Sequence, residues 1–132
     1  VFEYGRIDAL RSGGDVTILA MGHLAVSAVK AADLLAAKGV GAQVLHASSP
    51  LGMSPEDFLS QVGVKPLVTC EDHHADTGLG ASAALMLARA GRAVKMKNLG
   101  VSRYGESGPA GEVIARMGLS PEGIAEAAES LL

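Results

Sequence analysis

Short apolar runs alternate along the chain with longer segments in which apolar residues recur at helical spacing. The clearest run covers residues 16–21, where Thr17 is the only polar residue. Such a run predicts a parallel strand that is covered on both faces of a sheet. Comparable runs predict further strands over residues 42–46, 66–70 and 93–98.

The segments between these runs carry helix patterns. An apolar stripe predicts a helix over residues 24–38, and its members are Leu24, Ala28, Ala31 and Leu35. Two Ser-Pro-Glu sequences, beginning at Ser54 and Ser120, combine an N-cap serine with proline at the first helical position and predict helix starts. Further helices are predicted over residues 79–88 and in a short segment that ends near residue 117.

The first 15 residues read differently from the rest of the chain. Residues 6–10 predict a short edge strand, and the turn cluster 12–15 separates it from the strand at 16–21. We expect these two strands to form a hairpin, with the first antiparallel to the second. The alternation that follows predicts an α/β fold with three layers, α/β/α. Its sheet is mixed and five-stranded, mostly parallel, with one antiparallel edge strand.

Composition limits the possible functions. The chain has 132 residues, 48% of them hydrophobic and only 3% aromatic, which predicts one domain, residues 1–132, with an aliphatic core. Its net charge of −3 argues against nucleic-acid and anionic-membrane partners. No apolar stretch reaches the length of a membrane span, and Cys70, the single cysteine, predicts no disulfide. We therefore expect a cytoplasmic protein, and residues 1–5 look like the start of a fragment of a larger enzyme.

Polar chemistry concentrates at one edge of the predicted sheet. An acidic and histidine-rich loop, residues 71–77, follows the strand at 66–70 and precedes Gly78 and Gly80. Loops at the carboxyl ends of parallel strands face a common edge, so His23 is expected to lie there too. The candidate crevice or interface residues are His23, Glu71, His73, His74, Gly78, Gly80, Arg103, Glu106 and Ser107.

The glycines after this loop leave several interpretations open. Residues 78–83 fit Gly-x-Gly-x-x-Ala, but residues 72–77, five of them polar, intervene after the strand, and residues 93–105 contain no acid for a ribose. Dinucleotide binding is therefore disfavoured, and close packing of the helix on the sheet is favoured. Free N–H groups at that helix start could still bind an anion.

The loop side chains have alternatives of their own. Adjacent histidines rarely converge on one metal, so a solvated or interface loop is favoured over a metal site. Acid–base chemistry by His73 or His74 stays open, although no nucleophile is evident nearby. Arg103 offers a guanidinium to an anion, or a salt bridge to a neighbouring chain. The helix at 79–88 is apolar almost all round, so we expect part of it to face another chain.

Taken in order, the motifs resemble the C-terminal domain of the transketolase family of thiamine-diphosphate enzymes. This group includes transketolases, deoxyxylulose-phosphate synthases and the β subunits of 2-oxoacid dehydrogenases. The matching segments cover nearly the whole chain, and they are residues 3–6, 12–23, 67–73, 78–80, 103–108 and 118–124. The chain departs from the family at Thr77, where a glycine is frequent, and at His74, where a small residue is usual.

The resemblance implies a supporting role in ketol transfer between sugar phosphates. In this family a pyrimidine-binding and a pyrophosphate-binding domain hold thiamine diphosphate and its Mg²⁺, so no catalytic, cofactor-binding or metal residue is expected here. The domain would contribute to assembly and to the dimer of the parent enzyme. The alternatives are an assembly domain of a 2-oxoacid dehydrogenase β subunit and a freestanding anion-binding α/β domain.

Overall fold

The apolar runs form one sheet in the computed structural model, which describes residues 2–132. Val1, with which the expected fragment begins, lies outside the described residues. The strands are β1 (Ile7–Arg11), β2 (Val16–Ala20), β3 (Ala42–Ala47), β4 (Leu67–His74) and β5 (Met96–Val101). Their order is β1-β3-β2-β4-β5, with β1 antiparallel to β3 and every other pairing parallel. The predicted mixed five-stranded α/β fold is confirmed.

Helices cover both faces of this sheet. The α-helices are α1 (Leu24–Ala36), α2 (Pro55–Val62), α3 (Leu79–Arg89), α4 (Ala110–Arg116) and α5 (Pro121–Glu129), with a 3₁₀ turn at Pro50–Gly52. Both predicted N-caps are confirmed, since the Ser54 hydroxyl accepts from the N–H of Asp57 and the Ser120 hydroxyl from that of Gly123. None of the helices within residues 2–132 combines the length and apolar character needed to cross a bilayer.

The sheet separates two hydrophobic clusters. Val16, Ile18 and Ala20 alternate onto one face of β2, where they pack with the buried sides of α1 and α5. Leu19 points to the other face, where Phe58 of α2 and Leu79 of α3 are buried. Because β2 is buried at every position, it carries the continuous apolar run of a central parallel strand.

The predicted hairpin between β1 and β2 is wrong. β1 pairs with β3 instead and forms the sheet edge on that side, antiparallel as expected. The turn before β2 docks on the start of β3, where the Asp15 carboxylate accepts from the N–H of Gly41 at 2.7 Å. Gly13 lies so close to Ala42 that a Cβ there would be 2.3 Å from the Ala42 carbonyl carbon. Because the turn is held against the start of β3, β1 pairs with the outer edge of β3 and not with β2.

Two strand boundaries also differ from the prediction. β4 does not end at Cys70 but continues through the polar residues to His74, which pairs with Val101 of β5 after an irregularity in the register. β5 starts three residues later than predicted and includes Gly100. A Cβ at Gly100 would lie 2.7 Å from the His73 carbonyl oxygen, so a glycine permits this close approach of the two strands.

The chain approaches β1 through a fixed segment. The N–H of Ile7 donates to the Asp57 carboxylate at 2.8 Å, and its carbonyl accepts from the Gln61 amide at 3.0 Å. The carbonyl of Gly5 accepts from the N–H of Ser54 at 2.9 Å. These bonds tie the approach to α2, and we call this set of contacts the N-terminal clamp.

Candidate functional site

The strand order places a topological switch between β2 and β4. From β2 the chain crosses to β3 on one side, and from β4 it crosses to β5 on the other. Crevices form at such points, outside the carboxyl ends of the strands. Here the crevice contains a cavity of about 300 Å³ that we call the switch cavity. Met21, Leu51 and Leu79 form its apolar wall, and His73, Thr77 and Ser82 form its polar wall.

Glu71 lies at the base of this crevice and is fully buried. One carboxylate oxygen accepts from the N–H of Leu79 at 2.6 Å, and the other accepts from the N–H of Gly80 at 2.9 Å. These are the first two N–H groups of α3, which lack partners inside the helix. A buried carboxylate at this position is favourable because it meets both the donors and the positive end of the helix dipole. The helix start predicted to be open to an anion is thus capped from within the chain.

Gly78 and Gly80 make this cap possible. A Cβ on Gly78 would lie 1.7 Å from a carboxylate oxygen of Glu71. A Cβ on Gly80 would lie 2.5 Å from Cγ of Asn98 and 2.7 Å from the hydroxyl oxygen of Thr69. The glycines therefore bring α3 against the sheet, which supports the close-packing interpretation of this motif over the dinucleotide one.

The sheet edge brings His23 together with the polar end of β4, as predicted. Nδ1 of His73 lies 3.1 Å from one oxygen of Asp72, and Nδ1 of His23 lies 3.6 Å from the other. All three side chains are about half exposed. A carboxylate in this position orients an imidazole for proton transfer. Within the described residues, neither imidazole receives a hydrogen bond from a serine or cysteine side chain, so the arrangement lacks a nucleophile.

His74 lies apart from this group. Its Nδ1 accepts from the N–H of Asp76 at 3.2 Å, which closes the turn before α3. Its ring borders an open depression of about 450 Å³ that it shares with Ser102, Arg103 and Tyr104. The candidate residues thus divide between two places on the surface.

Arg103 and Glu106 form part of an internal ion-pair network. The Glu106 carboxylate lies 3.7 Å from the Arg103 guanidinium and 2.9 Å from that of Arg116 in α4. Arg103 also donates to the Arg116 carbonyl at 3.2 Å. Ser107 lies in the same exposed loop. The network directs the Arg103 charge toward its own chain rather than leaving it open for an anion.

Metal binding gains no support from this geometry. Across residues 2–132, the side chains of His, Cys, Asp and Glu do not assemble into a group of three that could hold an ion.

Cys70 is buried in β4, as predicted from its apolar surroundings, and its thiol lies 3.7 Å from the Leu19 carbonyl. Burial raises the pKa of this thiol from 9.0 to about 12, and the neighbouring Glu71 carboxylate adds to the rise. The thiolate is the reactive form, so the group is inert at neutral pH.

We expect the Cys70 thiol to resist alkylation at pH 8 in the folded chain and to react once urea unfolds it. The free energy of unfolding should also fall as the pH rises from 9 to about 12, because the unfolded chain loses this proton first. The contribution is about 1.4 kcal/mol per pH unit. Urea titrations of the wild type and of Cys70→Ala measure it as the difference in slope, which removes the effect of other groups. Equal slopes, or labelling of the folded thiol, would contradict the prediction.

Glu71 was a candidate from its sequence position, but its role as a helix cap was not predicted. A signal was present, since a glutamate directly follows a buried strand and two glycines mark the next helix start. The sequence does not show that these residues meet, because the first N–H that Glu71 accepts belongs to Leu79, eight positions further along the chain. The pair Thr69 and Asn98, joined at 3.3 Å beneath Gly80, gave no sequence signal.

Comparisons with protein families and curated proteins show which proteins this chain resembles. A family model described as "Transketolase, C-terminal domain" matches residues 5–124. The 6-deoxy-6-sulfo-D-fructose transketolase subunit of Clostridium sp. (strain MSTE9) is 35% identical over 98% of this chain and 41% of its own length. The 1-deoxy-D-xylulose-5-phosphate synthase 1 of Geobacter sulfurreducens is 33% identical over 97% of this chain and 21% of its own length. The chain therefore spans less than half the length of either of these curated relatives.

Solved structures agree with the sequence comparison. A structure described as a split gene transketolase, inactive β4 tetramer, matches 99% of this chain and 43% of its own with a TM-score of 0.92 and 31% identity. Pichia stipitis transketolase in complex with sedoheptulose-7-phosphate has the same fold, with a TM-score of 0.73 and 24% identity over 96% of this chain and 18% of its own. The sheet order and helix placement of this chain are thus shared with longer polypeptides.

Proposed function

We propose, on the premise that this chain belongs to the transketolase C-terminal domain family, that it supports a ketol-transferring enzyme whose catalytic groups lie elsewhere. The parent enzyme would move a two-carbon ketol unit between sugar phosphates. Residues 1–132 would form one domain of it, with its pyrimidine- and pyrophosphate-binding domains as partners in a cytoplasmic homodimer. The observation that places the catalytic groups elsewhere in this proposal is the buried Glu71 cap on α3, which occupies the helix start where an anion would bind.

Transketolases and deoxyxylulose-phosphate synthases use thiamine diphosphate, so its fit to this chain can be tested. A diphosphate binds most readily at a helix start where glycines expose backbone N–H groups. In this chain the Glu71 carboxylate accepts from two of those groups at the start of α3. A diphosphate placed there would have to displace a buried carboxylate and would meet the nearby charges of Asp72, in β4, and Asp76, in the following turn. The start of α3 does not fit the cofactor, and we propose that this chain makes no contact with it.

Surface character supports a role in assembly. Leu51 is fully exposed at the rim of the switch cavity, and Tyr104 is 99% exposed in the loop after β5. Leu85 on α3 is half exposed, which agrees with the expectation that part of this helix faces another chain. Exposed large side chains of this kind are available for contact with a partner surface.

The division of related proteins into subunits supports the same proposal. The similar solved chain is described as part of a split gene transketolase and as an inactive β4 tetramer. We take this as support for a chain that is inactive until a cofactor-binding partner joins it. A freestanding anion-binding domain loses its main support, because the α3 start is capped by Glu71.

We expect isothermal titration of the isolated chain with thiamine diphosphate and Mg²⁺ to give no saturable heat. Mixing the chain with the polypeptide that supplies the cofactor-binding domains should restore ketol transfer, measured in a coupled sugar-phosphate assay. The cofactor-binding polypeptide assayed alone is the control. Saturable micromolar binding by the isolated chain would overturn the proposal, as would full activity of the partner in its absence.

A further inference from the structure

Three features of the switch cavity bear on what could occupy it. Its volume of about 300 Å³ lies at the lower limit for small-molecule pockets, and one wall is apolar. The helix N–H groups that would hold a phosphate in such a crevice already bind the Glu71 carboxylate. Leu51 stands at the rim with its whole side chain exposed. These features favour an apolar side chain from another protein surface over a phosphorylated metabolite.

The charge at the mouth of the switch cavity indicates what kind of protein surface would bind there. Three segments surround the mouth, residues 21–23, 48–54 and 71–78, and they contain no lysine or arginine. Exposed carboxylates lie at Asp72, near the end of β4, and at Asp76, in the turn that follows it. At neutral pH the mouth is therefore acidic, and a complementary surface presents a basic residue beside its apolar one.

We propose that the switch cavity is a docking socket for the cofactor-binding part of the same enzyme. An aliphatic side chain of that partner would enter between Met21, Leu51 and Leu79, and an adjacent lysine or arginine would pair with Asp72. This inference rests on the proposed function, since it names the surface through which the chain supports catalysis. Such a contact has the anatomy of an interface hot spot, an apolar anchor in a pocket with a charged rim.

The buried Cys70 allows a direct test by thiol labelling. Because its thiol is buried, Leu51→Cys introduces a single accessible cysteine at the socket. Val64→Cys is the matched control, since Val64 is also exposed but lies at the opposite, amino-terminal end of the sheet. We expect assembly with the cofactor-binding polypeptide to slow maleimide labelling of Leu51→Cys at least tenfold. Labelling of Val64→Cys should change less than twofold.

A second measurement compares affinities. Leu51→Ser should weaken the complex about tenfold or more by sedimentation or surface plasmon resonance, and Val64→Ser should leave it within twofold of wild type. Asp72→Asn should weaken it about threefold and reduce its salt dependence. If the enzyme assembles and is active while Leu51→Cys and Val64→Cys label alike, the socket is wrong and the proposed function stands. If the wild-type chain neither binds nor activates the polypeptide, the proposed function fails and the socket with it.

Discussion

Replacing Glu71 with alanine is expected to lower the free energy of unfolding by about 3–5 kcal/mol. The substitution removes a fully buried carboxylate and leaves the N–H groups of Leu79 and Gly80 without their acceptors. Each buried, unsatisfied donor costs about 1–3 kcal/mol, and the space left by the side chain adds to the loss. Urea denaturation followed by circular dichroism measures the change.

Asp76→Ala is the matched control, because it removes an exposed carboxylate from the turn between β4 and α3 and should cost less than about 0.5 kcal/mol. Gly78→Ala provides a sharper test through a double-mutant cycle. Its new methyl group collides with Glu71, so its cost should shrink in the Glu71→Ala background. Additive costs, or a Glu71→Ala variant as stable as Asp76→Ala, would show that the carboxylate does not cap the helix.

Gly80→Ala should destabilise the chain by about 2–3 kcal/mol, against the usual helical preference for alanine over glycine. The added carbon would lie 2.5 Å from Asn98 Cγ, so either α3 or the bonded pair of Asn98 and Thr69 must move. Gly111→Ala in α4 is the matched control, since nothing within the described residues lies within 4 Å of a Cβ at that position.

The control should be neutral or stabilising by up to about 1 kcal/mol. Both variants replace a helical glycine, so the difference between them isolates the contact of α3 with the sheet. Thermal and urea unfolding should agree in sign for each. Equal effects of the two substitutions would mean that α3 does not depend on this close approach.

Local signals were sufficient for much of the fold. The caps at Ser54 and Ser120, and the continuous apolar run of β2, depend on residues within one turn or one strand. The family resemblance followed from the order of several short motifs. Each cap, strand or motif is encoded by neighbouring residues, which is why the sequence alone predicted them.

What the sequence did not predict depends on residues far apart in the chain. The turn after β1 looked like a hairpin, but its choice of β3 is set by contacts of Gly13 and Asp15 with residues 41–42. The eight-residue span from Glu71 to Leu79 similarly hides the cap, because only the folded turn brings them within 2.6 Å. The division of the candidates between two surface regions follows from the extension of β4 to His74.

The N-terminal clamp has a mechanical consequence. Three hydrogen bonds to Gly5 and Ile7 hold the backbone against α2, so rotation about this segment is blocked rather than free. A fluorophore or protein joined to the chain before Gly5 would therefore keep a nearly fixed orientation relative to α2. Removing the Asp57 bond would leave two of the three hydrogen bonds, so this orientation would become less rigid without being lost.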